Sequence, residues 1–320
     1  MTEPTPSSRS LVWRMSRQEL VLLVSTIGWG GTFLATQKGV ALSGPLFFVG
    51  LRFLFATLFM LAVGLKVLRG MTRHELIAGG WIGLTMYFVY ALQTAGLQTI
   101  SSSKSAFITA LYVPIVPLLQ WAVMRKPPRL MSWIGIALAF TGLMLLAGPE
   151  PGSLGMGRGE VLTLLGTFAI AVEIILIGHF APSVDSRRVT LIQCAVTAVL
   201  SWGTMPVLGE SLPNFSWTLV IIAAGLGLVG GTIQLAMNWA QRSVSPTRAT
   251  LIYSGEPVWA GIVGRIAGER LPMMAIVGAL LIVAGVVVSE LRPRKRRDEE
   301  DEECDSELEP EGVDGELCNS

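Results

Sequence analysis

Ten apolar stretches follow one another almost without a break from residue 19 to residue 290. A helix that crosses the hydrocarbon core needs ~20 mainly apolar residues, because every backbone N–H and C=O must be paired inside the segment once water is excluded. The stretches lie at 19–40, 45–66, 76–97, 103–124, 130–148, 160–181, 189–208, 216–240, 246–267 and 272–290. The loops between them are short and leave no room for a separate soluble domain. The predicted fold is therefore an all-α integral membrane protein with ten transmembrane helices. Composition agrees: charged residues make up only 15% of the chain, against ~25% in an ordinary soluble domain. A soluble globular enzyme, a secreted disulfide scaffold and a mainly disordered chain are all disfavoured.

The net charge of +1 hides an asymmetry, since residues 298–320 hold twelve of the acidic residues and no basic one. The tail joins a basic stop, RPRKRR at 292–297, to this acidic run. It reads as a stop-transfer signal followed by a solvated disordered segment, with regulation or partner binding as the alternative. Residues 1–18 are polar and carry three Arg, and the first apolar run is full length without a cleavage site. It is expected to be a retained helix rather than a signal peptide. With the N-terminus cytoplasmic, the cytoplasmic loops and termini hold 18 Lys and Arg, and the other side holds five. This positive-inside bias predicts that both termini are cytoplasmic. The simplest membrane is a cell (inner) membrane, because no transit segment is visible. Three Cys at unrelated positions form no disulfide framework and no zinc spacing.

The two halves align at a constant offset of 143 residues: Gln98 with Gln241, Ser102 with Ser245, Ala106 with Ala249, Pro114 with Pro257, Met131 with Met274, Gly135 with Gly278, Leu138 with Leu281 and Gly142 with Gly285. Pro and Gly recur at matching places inside helices, where they cost most. Each half has five spans, an odd number, so the second half enters the membrane from the opposite side. The basic loop RKPPR at 125–129 against the nearly neutral GERLP at 268–272 fits that inversion. Inverted repeats mark secondary transporters, with the solute site near the midplane between the repeats. The expected organisation is a cytoplasmic segment 1–18, a first five-helix repeat 19–148, an external linker 149–159, a second repeat 160–291 and a cytoplasmic tail 292–320.

Several stretches carry a family resemblance: WGGTFLATQKGV at 29–40, GPLFFVGLRFLFA at 44–56, SKSAFITALYVPIVPLL at 103–119, WIGIALAFTGLMLL at 133–146, SPTRATLIYSGEPVWAGIVGRIAGERL at 245–271 and GALLIVAGVVVSEL at 278–291. With these the chain resembles the EamA-type permeases of the drug/metabolite transporter superfamily over roughly residues 25–290. One departure is Gly255, where a larger apolar residue is expected before the Glu-Pro pair. The resemblance implies an alternating-access carrier of small organic solutes, commonly an exporter of amino acids or related metabolites. It also implies a central cavity lined by helices 1, 3, 4, 6, 8 and 9.

Three charged residues lie deep in spans: Arg52, Glu173 and Glu256. A charge at a helix centre costs ~2.5–3.5 kcal/mol on insertion scales, so each needs a partner, a wet cavity or neutralisation. Glu256 precedes Pro257, which frees a carbonyl and bends the ninth helix. It is either a functional carboxylate of the cavity or half of a structural pair. Glu173 shares a face of the sixth span with Thr163, Thr167 and Ile170. A carboxyl group moved between water and an apolar interior exchanges protons, so either Glu is a candidate for proton coupling. Arg52 could bind a substrate carboxylate or pair with one of these Glu residues. In the eighth span Gly227, Gly231, Gln234, Asn238 and Gln241 share one face. The glycines permit close helix approach, and the amides either bind solute or bridge helices. Tyr90, then Thr109 and Tyr112 before Pro114 and Pro117, add polar and hinge candidates. Tyr253 and Trp259 flank Glu256 and suit aromatic or amphipathic solutes, or packing.

No H-E-x-x-H, G-x-S-x-G, P-loop or metal-spaced cluster is present, so no enzyme, cofactor or metal is expected. Single dispersed charges and inverted repeats fit a carrier better than a channel, whose filter would be a ring. The expected partners are a small-molecule substrate and the lipid bilayer, with no nucleic acid. Monomer and homodimer are both compatible with the sequence.

Overall fold

The computed structural model describes residues 16–63, 69–124, 130–147, 156–270 and 272–290. All of the regular structure among them is helical: α1 Arg17–Val40, α2 Pro45–Val63, α3 Arg73–Gly96, α4 Ser102–Thr109, α5 Tyr112–Met124, α6 Leu130–Ala147, α7 Arg158–Phe180, α8 Ser186–Thr204, α9 Trp217–Ala240, α10 Pro246–Tyr253, α11 Glu256–Ile266 and α12 Met273–Glu290. Six helical segments are long and apolar enough to cross a membrane on length and composition alone, the α4–α5 pair counting as one. The tail, the 125–129 loop and residues 149–155 of the 149–159 linker lie outside the described residues.

Local chemistry explains where helices begin. Ser16 with Glu19 and Thr72 with Glu75 form reciprocal capping boxes at α1 and α3, satisfying backbone donors that have no partner in the helix. Asp185 accepts from the backbone of Arg187 and Arg188, so α8 starts at Ser186 rather than at the expected 189.

The main departure from the ten continuous spans is in the fourth and ninth. Each runs as two helices, α4 then α5 and α10 then α11. The cause is the aligned proline. Pro114 and Pro257 lack the N–H that would bond the carbonyl four residues earlier, and their rings crowd that carbonyl. The chain tightens instead into three-residue bonds, with Leu111 donating to Ile108 at 3.1 Å and Gly255 donating to Ile252 at 3.3 Å.

Burial runs opposite to that of a water-soluble protein. Ile221 and Leu280 are 67% and 64% exposed, whereas Gln193 and Thr197 are fully buried. In a bilayer the outer face needs apolar side chains and the interior can hold paired polar groups. α6 and α12 pack chiefly on one another. A Cβ on Gly142 would lie 2.5 Å from the Gly278 carbonyl, and one on Gly285 would lie 2.6 Å from the Gly135 carbonyl. All four repeat-matched glycines therefore meet at one seam. Gly227 and Gly231 serve the same purpose where α9 crosses α2, against Phe55 and Ala56.

Candidate functional site

The two interruptions set the site. Tyr112 opens α5 and Glu256 opens α11, so each repeat delivers one side chain from the restart of its broken helix. Both face a central void of about 20 Å³, room for about one water molecule. Trp29 of α1, Tyr90 and Gln93 of α3, Thr109 at the end of α4, Glu173 of α7 and Met237 of α9 complete most of its wall. Gln93 ties α3 to α4 by donating to the Thr109 hydroxyl at 3.2 Å.

Glu173 and Glu256 are both almost fully buried. Glu173 ends a row of amides with a single direction. Asn238 Nδ2 donates to Gln193 Oε1 at 3.0 Å, Gln193 Nε2 to Gln234 Oε1 at 2.9 Å, and Gln234 Nε2 to Glu173 Oε1 at 3.1 Å. Asn238 Nδ2 also donates to the Thr190 hydroxyl at 3.0 Å. The row joins α9, α8 and α7. Gln234 and Asn238 thus bridge helices, and only Gln234 reaches a carboxylate of the void. Among the described residues no hydrogen bond or ion pair reaches the Glu256 carboxyl group. The buried Tyr112 hydroxyl also has no partner. Unpaired polar groups are rare in native interiors and call for an explanation.

Arg52 pairs with neither Glu among the described residues. Its guanidinium stacks over the Tyr90 ring at 4.6 Å. Tyr253 sits one layer back, edge-on to Trp29 at 5.6 Å, and its hydroxyl accepts from Gln241 at 3.3 Å. Trp259 does not line the void. It is 36% exposed, and its Cβ packs where α1 passes bare Gly30. Pro114 and Pro257 lie just past the breaks, and Pro117 lies inside α5. Trp29, Gln93, Met237 and the bridging Gln193 were not singled out by sequence. Gln93 carried a usable signal, since it lies three residues after Tyr90 on a helix.

Polar ties close both ends of the bundle. At the face where α1, α3, α8 and α10 begin, Arg188 pairs with Glu75 at 3.2 Å and Arg248 pairs with Glu19. At the opposite face Lys104 pairs with Glu160 at 2.5 Å, and Glu210 accepts from the backbone of Leu46 and Phe47. Glu269 accepts from the backbone and hydroxyl of both Ser102 and Ser103, at 2.5–3.1 Å. Partial burial pushes the Glu269 carboxyl up, but these four bonds outweigh it and hold the group below the ordinary carboxylate value. A larger groove of about 840 Å³ runs beside Phe107, Ile262 and Leu280. Its walls combine outward apolar side chains with Ser103, Arg265, Glu269 and Arg270.

Comparison with known proteins agrees with this architecture. A model of the EamA-like transporter family matches residues 17–148 and again 157–291. The chain is similar to an uncharacterized transporter of Archaeoglobus fulgidus, 25% identical over 276 residues that cover 86% of each chain. It is 29% identical over 272 residues to the uncharacterized inner membrane transporter YedA of Escherichia coli K12, covering 81% of this chain and 86% of the relative. A solved crystal structure superposes with a TM-score of 0.64 at 20% identity, covering 86% of this chain and 99% of its own. That likeness concerns the fold alone. Two matches to one transporter model span nearly the whole membrane region, and the chain belongs to the EamA-like transporter family, a family of multi-pass membrane transporters rather than of enzymes.

Proposed function

We propose that this protein carries small organic metabolites across the cell (inner) membrane by alternating access, exporting amino acids or related compounds. The carrying observation is the small void at the two helix breaks, lined by Tyr112 and Glu256 from opposite repeats together with Glu173. Broken helices flanking a midplane site are a recurrent device of secondary transporters. A void of one water's size with polar ties at both faces fits an occluded arrangement. Release of one set of ties, Glu75–Arg188 and Glu19–Arg248 or Glu269–Ser102–Ser103 and Lys104–Glu160, opens one side at a time. Pro114, Pro117 and Pro257 supply the bends. Gly227 and Gly231 let α2 and α9 stay in contact as they move.

Glu256 is the leading coupling group and Glu173 the second. Each passes from an enclosed, mainly apolar setting to a wet one as the site opens, which drives proton exchange at a carboxyl group. The inner-membrane assignment draws on the relative in Escherichia coli, and both termini are assigned to the cytoplasm on the positive-inside bias. The test compares the medium of cells overproducing this chain with that of cells making Glu256→Gln at matched membrane abundance. A small solute set enriched by the intact protein alone is expected. Identical enrichment by the two would remove the role of Glu256, and no enrichment over cells lacking the chain would remove export. Flux through proteoliposomes that ignores an imposed pH gradient would remove the coupling.

A further inference from the structure

Arg52 is the one basic side chain among the described residues that is buried, at 1% exposure in mid-α2. Its Nη1 donates to the Thr36 hydroxyl at a long 3.4 Å. Its Nε and Nη2 have no partner among the described residues. No carboxylate there lies within ion-pair distance. Tyr90 covers one face of the guanidinium at 4.6 Å and also lines the central void, so a single ring separates this charge from the chamber. On α9, Gly230 leaves bare backbone beside Nη2, since a Cβ there would come within 3.2 Å.

A buried guanidinium with idle donors is expensive unless an anion completes it. Its planar fork matches the two oxygens of a carboxylate. Resting on the carrier reading above, we propose that Arg52 is the anion subsite of the chamber and that the carried solute bears a carboxylate group. Tyr90 swings off the guanidinium as the site opens, and Nε and Nη2 donate to the two oxygens. One buried cation balances one negative charge, which favours a monocarboxylate over a phosphate dianion. The aromatic wall of Trp29, Tyr90 and Tyr112 suits an apolar or aromatic body on that solute.

The experiment uses the full chain in lipid nanodiscs and reads the concentration dependence of its thermal unfolding. The probes are phenylacetate, phenylacetamide, 2-phenylethylamine and phenyl phosphate, which differ mainly in the polar group. Phenylacetate is expected to stabilise the protein most. Arg52→Gln is expected to weaken its apparent affinity at least ~30-fold, the usual scale for removing one partner of a buried charge pair. Should Arg52→Gln fail to fold, Arg52→Lys carries the test: it keeps the charge, loses the fork and is expected to weaken phenylacetate at least ~10-fold. Equal stabilisation by the acid and the amide would overturn the subsite. So would preference for the amine or the phosphate, or retention of the phenylacetate effect in both variants. Stabilisation by the amide or amine that Glu256→Gln abolishes would sink the Arg52 proposal and leave the carrier reading standing. No response to any probe, together with no counterflow in proteoliposomes, would sink both.

Discussion

The two broken helices are alike in backbone and unlike in chemistry. α4–α5 and α10–α11 both stop just before a proline that the 143-residue offset aligns, Pro114 with Pro257. At the same offset Tyr112 faces Gly255, and Glu256 faces Val113. One restart therefore presents a phenol and the other a carboxylate to a shared void. The repeated part is what bends and packs, and the unrepeated part is what lines the void. A symmetric frame can expose one site to either side in turn, while a one-sided set of groups gives that site a chemical identity.

The largest expected effect tests the unlike part. Glu256→Gln should reduce flux of the solute identified in the medium by ~100-fold, the scale of losing a proton-transfer group. Val113→Ala, its counterpart, should stay within ~3-fold when both are measured as counterflow in proteoliposomes. Equal losses would mean that the breaks matter only as hinges. The next effect tests the like part. Gly142→Ala and Gly285→Ala each push a Cβ against a carbonyl across the α6–α12 seam, and each should cost about 1–3 kcal/mol of stability. Gly225→Ala, which meets open space, should change stability by less than about 0.5 kcal/mol. Chemical denaturation in mixed micelles would separate them, and a large cost at only one seam glycine would break the symmetry of the frame.

A smaller effect is expected at the phenol. Tyr112→Phe removes a buried hydroxyl that has no partner among the described residues. Stability should hold, while solute affinity should fall ~5-fold, the worth of one ordinary hydrogen bond. A loss of stability without a loss of affinity would mark Tyr112 as packing. The smallest effects concern the outer ends of the half-helices. Glu269 holds the start of α4 with four hydrogen bonds, whereas the start of α10 is held by Arg248, itself well exposed, against Glu19. Exposure of Arg248 screens that pair in part, although Glu19 is buried. Glu269→Gln should therefore raise cysteine-label access at its face a few-fold, and Glu19→Gln should do less at the other. The folded Glu269 group titrates below its ordinary 4.5. Its contribution is thus complete above the ordinary value and is lost as pH falls through the lowered one. Label access at that face should rise only in acid, and Glu269→Gln should abolish the rise. Access that increases near neutrality would contradict the sign.

Much of the frame was legible because membrane helices must announce themselves. Twenty apolar residues are needed to span, and the proline and glycine matches marked the breaks and the seam. The site was legible in part. Glu173, Glu256, Tyr90, Thr109 and Tyr112 face the void as polar residues deep in the predicted spans, where polarity is too costly to be incidental. Trp259 shows the limit of neighbourhood in sequence, since it packs against α1 at Gly30 and is partly exposed instead of lining the void. Trp29 and Met237 gave no signal, because an apolar side chain on a cavity wall looks the same in sequence as one against lipid.

The sequence by itself determined the ten spans, the doubling of the unit and the places where the helices yield, since each follows from hydrogen-bond satisfaction within a local segment. Only the tertiary structure decided which polar groups meet. Gln234 donates to Glu173 on α7 while accepting from Gln193 on α8, and Arg52 lies against Tyr90 rather than against an acid among the described residues. Such pairings depend on the rotation and depth of packed helices, and apolar patterning that is satisfied on every outward face leaves both free until the helices close on one another.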